Sequence, residues 1–354
     1  MTMKKVNVLT FCTWTSIGSI LQSFGLKKAL AENGCESIIL LPDDENIFRT
    51  TKIHSLKSLA SRIFQLIIQK QRMSAFRKRC DFIAQQLDVK YYDSGRGAEQ
   101  PNQTDGVAVY LAGSDQIWNP DRCDKNFFLE FVRSGKCLSY AASMGKTEIP
   151  PENVDKFRRL MQRLDRISVR EAQCKEALQP LTEKEIAVHI DPTFLLDTET
   201  WRQYEKQYPI CGPYILVYMI YWDPACKAQI QELKRKTGLP VYAVCSGLSR
   251  VYADKQLFDV GVEEFLWLVD HAEYVVTSSF HGAAMSTIFG KRFAAVLNPG
   301  SPSRIRNLLQ TLGIPEVPIQ ELDGAEGFDY TAIRTRMAEE RARGMQYLKE
   351  AINE

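Results

Sequence analysis

The sequence has little of what marks secreted, membrane-spanning or strongly charged proteins. Its nine cysteines form no Cys-x-x-Cys pair and show no metal-ligand spacing, which predicts reduced thiols in a cytoplasm rather than a disulfide framework. The longest apolar run, near residues 214–222, is about half of what a helix needs to cross a bilayer. A net charge of +2 gives no overall bias toward nucleic acid. We therefore expect a cytoplasmic protein without a bound metal, which at most touches a membrane surface.

Short apolar runs alternate with amphipathic stretches along all 354 residues, a length that suits two domains. Strands separated by helices of this length predict parallel sheets with helices on both faces. The predicted strands are 6–11, 37–41, 107–112, 137–142, 167–169, 186–190, 214–220, 241–245, 274–277 and 293–297. The predicted helices include 19–33, 151–164, 224–237 and 262–272.

The fold class that follows is α/β, with two Rossmann-like domains of parallel sheets rather than one sheet of ten strands. We place the N-terminal domain at residues 1–185 and the C-terminal domain at 186–327. Residues 328–354 contain an amphipathic helix that we expect to pack back across both domains. Ligands of open α/β sheets bind outside the carboxyl ends of the strands, so the active site is expected in the interdomain cleft.

A basic segment at about residues 49–90 interrupts the even distribution of charge. It contains ten Lys or Arg residues against two acids, and its leucines and isoleucines recur at helical spacing. The pattern predicts a basic, amphipathic helical insert. It is either a solvated helix pair packed on the N-terminal domain, or a surface for anionic lipid or a lipid-linked acceptor. Nucleic acid is not an expected partner, because no aromatic platform accompanies the charges.

The most informative stretch lies between the predicted strand at 274–277 and a helix-like run that follows it. A strand that turns tightly into a helix leaves N–H groups unpaired at the helix start, and these favour phosphate. Ser279 and Gly282 supply small residues to this turn. His281 adds the side chain best suited to move a proton near neutral pH. The alternative is an ordinary strand–turn–helix with a surface histidine.

Among the other loops that follow predicted strands, three carry candidate site residues. Asp115, in the run GSDQIWNP, can accept a proton or bind a sugar, or it can cap the next turn. Arg170 offers a planar fork that matches a carboxylate or a phosphate, unless it only neighbours Glu171 structurally. Gly18 and Ser19 lie in a turn that could hold phosphate but lacks a full nucleotide-binding pattern.

Taken in order, six motifs resemble the polysaccharide pyruvyl transferase family. They are GSILQ from residue 18, GSDQIWNP from 113, SYAAS from 139, ISVRE from 167, DPT from 191 and TSSFHG from 277. The resemblance extends from about residue 5 to about residue 315. It implies a GT-B-like fold and the transfer of the pyruvyl group of phosphoenolpyruvate to sugar hydroxyls, which forms a pyruvate ketal.

The resemblance also implies roles for single residues. His281 and Asp115 are the implied catalytic pair, and either could be the acid or the base. Some members have a further arginine beside the histidine; because Phe280 directly precedes His281 here, Arg304 and Arg306 are candidates to replace it. The residues expected to bind the donor are Arg170, Ser279, Gly282 and Arg304, and the C-terminal domain is the expected donor side. Those expected to bind the acceptor, in the N-terminal domain, are Gly18, Ser19, Gln116, Trp118 and Asn119.

The implied partners are phosphoenolpyruvate and a glycan or lipid-linked oligosaccharide, with possible contact at the inner membrane surface and no cofactor. Two other functions remain open. A GT-B-like glycosyltransferase would need a nucleotide pocket in the C-terminal domain, where no ribose-binding glutamate is evident. A non-catalytic glycan-binding relative would be favoured by a closed cleft.

Overall fold

The computed structural model describes residues 3–43, 59–93, 107–245, 252–298 and 303–354. The strands are β1 (Lys4–Leu9), β2 (Cys35–Asp43), β3 (Val89–Asp93), β4 (Val107–Ala112), β5 (Lys136–Ser139), β6 (Ile167–Val169), β7 (Ile186–Val188), β8 (Ile215–Tyr218), β9 (Val241–Val244), β10 (Lys255–Leu257), β11 (Tyr274–Thr277) and β12 (Arg292–Ala295). The helices are α1 (Ile17–Glu32), α2 (Leu59–Gln86), α3 (Val154–Met161), α4 (Ala172–Leu178), α5 (Thr198–Arg202), α6 (Ala225–Thr237), α7 (Val262–Asp270), α8 (Phe280–Ile288), α9 (Ser303–Leu312) and α10 (Tyr330–Asn353).

The strands form two sheets of five, in the orders β3-β2-β1-β4-β5 and β10-β9-β8-β11-β12. Every pairing within them is parallel, which confirms the predicted α/β fold class. We call β1–β7 with their helices the first unit and β8–β12 with theirs the second unit. In each order the strand numbers reverse direction next to the first strand of the unit. This is the switch point at which open α/β sheets bind ligands.

Strands β6 and β7 pair with each other and continue the first sheet. Isolated bridges join Leu138 to Arg166 and Ala142 to Val169, so β6 follows β5 in space. The strand that begins at Ile186 therefore lies beside the first sheet. The division of the chain into domains at residues 185 and 327 stays a prediction.

The two strands that the sequence analysis missed, β3 and β10, are edge strands of their sheets. An edge strand is paired on one side only, and β10 has just three residues, with the sequence KQL. Such strands lack the continuous apolar run of a strand that is buried on both faces. All ten predicted runs contain strand residues.

The described part of the basic insert contains one helix of 28 residues, α2. Residues 49–58 lie outside the described residues, so the alternative of a helix pair stays a prediction. The inward face of α2 carries Ile68, Ala75 and Phe82, all buried. Arg79 is buried on this face as well, with 9% of its surface exposed.

Helix α10 contacts both units. Lys4 Nζ, on β1, donates to the carbonyl oxygen of Ile352 at 3.0 Å, and Tyr347 donates to the Ser139 carbonyl at 3.0 Å. Tyr330, at the other end of the helix, donates to the carbonyl of Lys291 in the second unit. None of the helices in the described parts of the chain has both the length and the apolar content that a bilayer span requires.

Candidate active site

Charged side chains from both units meet at the carboxyl ends of the strands. Arg170 follows β6, Asp191 follows β7, and His281 lies in the first turn of α8, directly after β11. The exposed fractions are 3% for Arg170, 1% for Asp191 and 7% for His281. Charged groups are seldom buried to this extent without partners, so their partners define what the cluster can do.

Arg170 is held on two sides by carboxylates. Its Nε donates to Glu171 Oε1 at 2.8 Å, and its Nη1 donates to Asp191 Oδ2 at 2.7 Å. Burial disfavours the charge, but Glu171 and Asp191 outweigh burial, and the pKa of Arg170 is raised. The guanidinium also lies 4.2 Å from the ring centroid of Phe280. Its Nη2 is buried and has no hydrogen-bond partner among the described residues, so the N–H groups of this nitrogen lack an acceptor.

Asp191 lies between Arg170 and His281. Its Oδ2 accepts from Ser114 Oγ at 3.1 Å, and its Oδ1 accepts from the amide and the hydroxyl of Thr193 at 3.0 and 2.9 Å. Burial alone would raise the pKa of Asp191. The attraction of His281, when it is protonated, and of Arg170 outweighs burial and lowers the pKa, so the carboxylate stays ionised.

His281 is neutral near pH 7 in this arrangement. Burial lowers its pKa, against the opposing effects of Asp191 and Asp115. Its Nε2 lies 3.8 Å from Asp191 Oδ2, too far for a hydrogen bond, and has no partner among the described residues. The imidazole is therefore placed beside a carboxylate with one nitrogen available to a ligand.

The other ring nitrogen of His281 faces Gly18, in the first turn of α1. A Cβ built on Gly18 would lie 2.2 Å from His281 Nδ1, so only glycine fits here. The structure thus brings Gly18, predicted on the acceptor side, directly to the histidine. Ser19, also predicted there, is 2% exposed and its Oγ accepts from the Thr13 amide at 3.0 Å, so it shapes the loop.

The turn that begins α8 has the predicted form of an anion cradle. Ser279 caps the helix, since its Oγ accepts from the Gly282 amide at 3.3 Å. The amides of Phe280 and His281 have no acceptor within the described ranges. Gly282 permits the tight turn, because a Cβ there would lie 2.3 Å from Thr277 Oγ1. Two N–H groups at a helix start are thus available to an anion.

Asp115 and Gln116 form the opposite wall, in the loop after β4. Asp115 is half-buried, has a left-handed φ of 73°, and its Oδ1 accepts from the Gln116 amide at 2.8 Å. The Gln116 side-chain amide is assigned with its oxygen toward Arg304. In this orientation the oxygen accepts from Arg304 Nη1 and Nη2, each at 2.8 Å. Burial, and then the nearby Arg170, lower the pKa of Arg304. Arg304 is thus a second arginine in the cluster.

Three other candidates lie elsewhere. Trp118 is fully buried, its indole donates to the Phe127 carbonyl at 2.9 Å, and it stacks in the core, so it does not face an acceptor. Asn119 Oδ1 accepts from the Asp121 amide at 2.9 Å and caps a turn. Arg306 is exposed and pairs with Glu316 at 3.3 Å, so of the two α9 arginines only Arg304 joins the cluster.

The sequence analysis missed Asp191 as a site residue, and with it Ser114 and Glu171. A signal was present. Asp191 follows β7 just as Arg170 follows β6, and parallel neighbouring strands end at the same edge of a sheet. Beside Asp191 lies a narrow cavity of about 30 Å³, which is also lined by Arg170, Phe280 and Arg304. A space of this size holds about one water molecule.

The charged cluster lies where two Rossmann-like units meet. The family model for polysaccharide pyruvyl transferase matches residues 17–300, which is most of the chain. The chain therefore belongs to the polysaccharide pyruvyl transferase family, and it is a transferase.

Solved structures with a similar overall fold share little sequence. The chain is 12% identical to a putative UDP-N-acetylglucosamine 2-epimerase from Listeria monocytogenes, with 96% of this chain and 91% of that chain covered and a TM-score of 0.49. It is 11% identical to the UDP-GlcNAc 2-epimerase from Neisseria meningitidis, with 96% and 100% covered and a TM-score of 0.46. No curated protein matches the chain significantly.

Proposed function

We propose that the protein transfers the pyruvyl group of phosphoenolpyruvate to two hydroxyls of a cell-surface polysaccharide or its lipid-linked precursor. One observation carries the proposal. Arg170 Nη2, which is a donor, and His281 Nε2, whose role depends on the tautomer, are buried without hydrogen-bond partners among the described residues, and they lie beside the capped start of α8. A buried, unsatisfied donor costs free energy that an anionic ligand relieves. Phosphoenolpyruvate carries two anionic groups, a carboxylate and a phosphate.

Different residues would bind the two anionic groups of the donor. Arg170 and Arg304 would hold the carboxylate and neutralise the donor, and the amides of Phe280 and His281 would receive the phosphate. A trianionic ligand beside His281 favours its protonated form, so donor binding would raise the pKa that burial lowers. His281 then serves as the proton donor or stabilises the leaving phosphate, while Asp115 positions the acceptor or takes its proton. The assignment of His281 as the acid and of Asp115 as the base belongs to this proposal.

The reaction balances without a cofactor. A proton reaches the methylene carbon of the donor and turns it into a methyl group, and a sugar oxygen bonds to the neighbouring carbon. The bond from that carbon to the phosphate oxygen then breaks, and a second sugar oxygen closes the ketal ring. The two hydroxyl protons end on the methyl group and on the released hydrogen phosphate. Charge is conserved, and the cationic cluster stabilises the phosphate as it leaves.

The acceptor side of the proposal includes a peripheral contact with a membrane on its cytoplasmic face. Leu66, Lys70, Met73 and Arg77 follow one another at helical spacing on α2, and all four are exposed. Apolar and basic side chains on one exposed helix face are typical of a helix that rests on anionic lipid. Such a contact would suit a lipid-linked oligosaccharide acceptor.

Isothermal titration of the full chain with phosphoenolpyruvate, UDP and GDP tests the donor. We expect phosphoenolpyruvate alone to bind, and Arg170→Ala to weaken it. Arg158→Ala, an exposed arginine on α3, is the matched control and should bind as the wild type does. Binding of a nucleoside diphosphate instead would favour a glycosyltransferase. If phosphoenolpyruvate binds neither alone nor with a saccharide acceptor present, the proposal is wrong.

A further inference from the structure

Tyr218 lies at the carboxyl end of β8, directly beside the turn that begins α8. Its carbonyl oxygen accepts from Thr277 Oγ1 at 2.7 Å and from the Ser278 amide at 3.3 Å. Its ring lies against the first turn of α8, since a Cβ on Gly282 would lie 3.1 Å from Tyr218 Cδ1. Phe265 packs edge-on against the same ring at 4.9 Å. The tyrosine is therefore fixed against the anion cradle.

The hydroxyl of Tyr218 lies beside the hydroxyl of Ser279, the residue that caps α8. Burial raises the pKa of Tyr218, against the opposing effects of Arg79 and Ser279, so the hydroxyl keeps its proton at neutral pH. The residue as a whole is half-buried.

Arg79, on α2 of the first unit, extends toward Tyr218 in the second unit. Its Nε and Nη2 donate to the Val260 carbonyl at 3.2 and 3.0 Å, and its Nη1 donates to the Trp14 carbonyl at 3.2 Å. It thus ties the loop after β1 to the segment before α7, across the two units. Burial lowers the pKa of Arg79, but a guanidinium remains charged in proteins. This fixed positive charge acts electrostatically on Tyr218.

A second contact fixes the same part of α2. Lys78 Nζ donates to the Asp259 carbonyl at 2.8 Å and pairs with Glu264 at 3.0 Å. The stem of Lys78 packs on Gly261, where a Cβ would lie 2.8 Å from Lys78 Cβ. Two consecutive basic residues of the insert therefore bond to the second unit instead of facing solvent.

We infer that Tyr218 is a further donor-binding residue, whose hydroxyl donates to the phosphate group held at the start of α8, and that Arg79 is its positioning residue. A phosphate monoester dianion matches this set: two helix amides, a tyrosine hydroxyl and a nearby cation. The inference rests on the proposed function for the identity of the monoester as phosphoenolpyruvate. It also gives the basic insert a role within the cleft, because α2 carries Arg79 there.

Titration of the full chain with inorganic phosphate and with phosphoenolpyruvate tests the role of Tyr218. We expect Tyr218→Phe to weaken both by about tenfold to a hundredfold, the loss expected for a hydrogen bond to a charged group. Tyr274→Phe, at the opposite end of the neighbouring strand β11, should leave both unchanged. Equal binding by the two variants overturns the inference. If the wild type binds neither ligand, the proposed function fails instead.

Arg79 is tested by a double-mutant cycle with Tyr218. Arg79→Met should weaken phosphoenolpyruvate binding, and Arg79→Lys should restore part of it because it keeps the charge. Combining Arg79→Met with Tyr218→Phe should cost less than the sum of the two single changes, because both act on one contact. Additive losses, or failure of lysine to restore binding at an unchanged thermal midpoint, would show that Arg79 only supports the fold.

Discussion

Gly18 lies directly against the imidazole of His281, with no room for a side chain between them. A Cβ on Gly18 would lie 2.2 Å from Nδ1 and 2.6 Å from Cγ of the ring. The two residues belong to different units, since Gly18 is in the first turn of α1 and His281 is in the first turn of α8. The orientation of the histidine therefore depends on how the two units pack.

Gly18→Ala should impair catalysis. The added methyl group must push aside either the imidazole or the start of α1, and a displacement of about 1 Å costs about a hundredfold in rate. The measurement is phosphate release from phosphoenolpyruvate in the presence of acceptor. Gly324→Ala is the matched control, because nothing lies within 4 Å of a Cβ there. A wild-type rate for Gly18→Ala would contradict the close packing.

The two arginines of α9 should differ in their effect on the donor. Arg304→Ala removes a cation that faces Gln116 in the cluster, so the KM for phosphoenolpyruvate should rise by about tenfold or more. Arg306→Ala breaks only an exposed pair with Glu316 and should change the KM by less than about twofold. Steady-state kinetics of both variants decide the matter. An equal rise in both would place the donor elsewhere.

Stability should fall as the pH drops from about 6.5 to about 4, partly through His189. Burial, and then Arg343, lower the pKa of His189 from 6.5 to about 4. Between these values the unfolded chain holds the proton and the folded chain does not, so acid favours unfolding, by at most about 3 kcal/mol. Urea unfolding at pH 7 and pH 4.5 measures this. The pH dependence should be smaller in His189→Gln than in the wild type.

Membrane contact through α2 should depend on its exposed face alone. Lys70→Glu with Arg77→Glu should abolish co-sedimentation with anionic vesicles, because the charges that meet the lipid are reversed. Arg158→Glu with Arg159→Glu, an exposed pair on α3, is the control. Neutral vesicles should not bind the wild type. If the α2 variant and the control sediment alike, the membrane proposal is wrong.

Chelation with EDTA should leave activity unchanged, because the proposed chemistry calls on arginines and helix amides. Among the described residues, Glu205, Asp270 and His271 have donor atoms close enough for a metal ion. Asp270 already accepts from Arg202 Nε at 2.8 Å, so a cation is present there. Activity that is lost with EDTA and restored by a divalent ion would contradict the expectation.

Much of the fold could be predicted because the central strands are buried on both faces. Strands such as β8 and β11 consist of continuous apolar residues, and helices of regular length separate them. The edge strands could not be predicted from such runs, as β10 reads KQL and one residue of its three is exposed. The sequence could not show whether the basic insert contains one long helix or two helices, because helical spacing alone does not mark where a helix ends.

The sequence by itself determined which residue types stand after the strands, and so it placed His281, Arg170 and Asp115 at the carboxyl ends of strands. Only the tertiary structure decided which side chains face the cleft. Arg304 and Arg306 are two residues apart on α9, as Arg77 and Arg79 are on α2, yet in each pair one side chain is exposed and the other contacts the cleft. Residues two apart on a helix point about 200° apart, so the packed partner selects one of them. That partner belongs to a distant part of the chain, which local sequence does not specify.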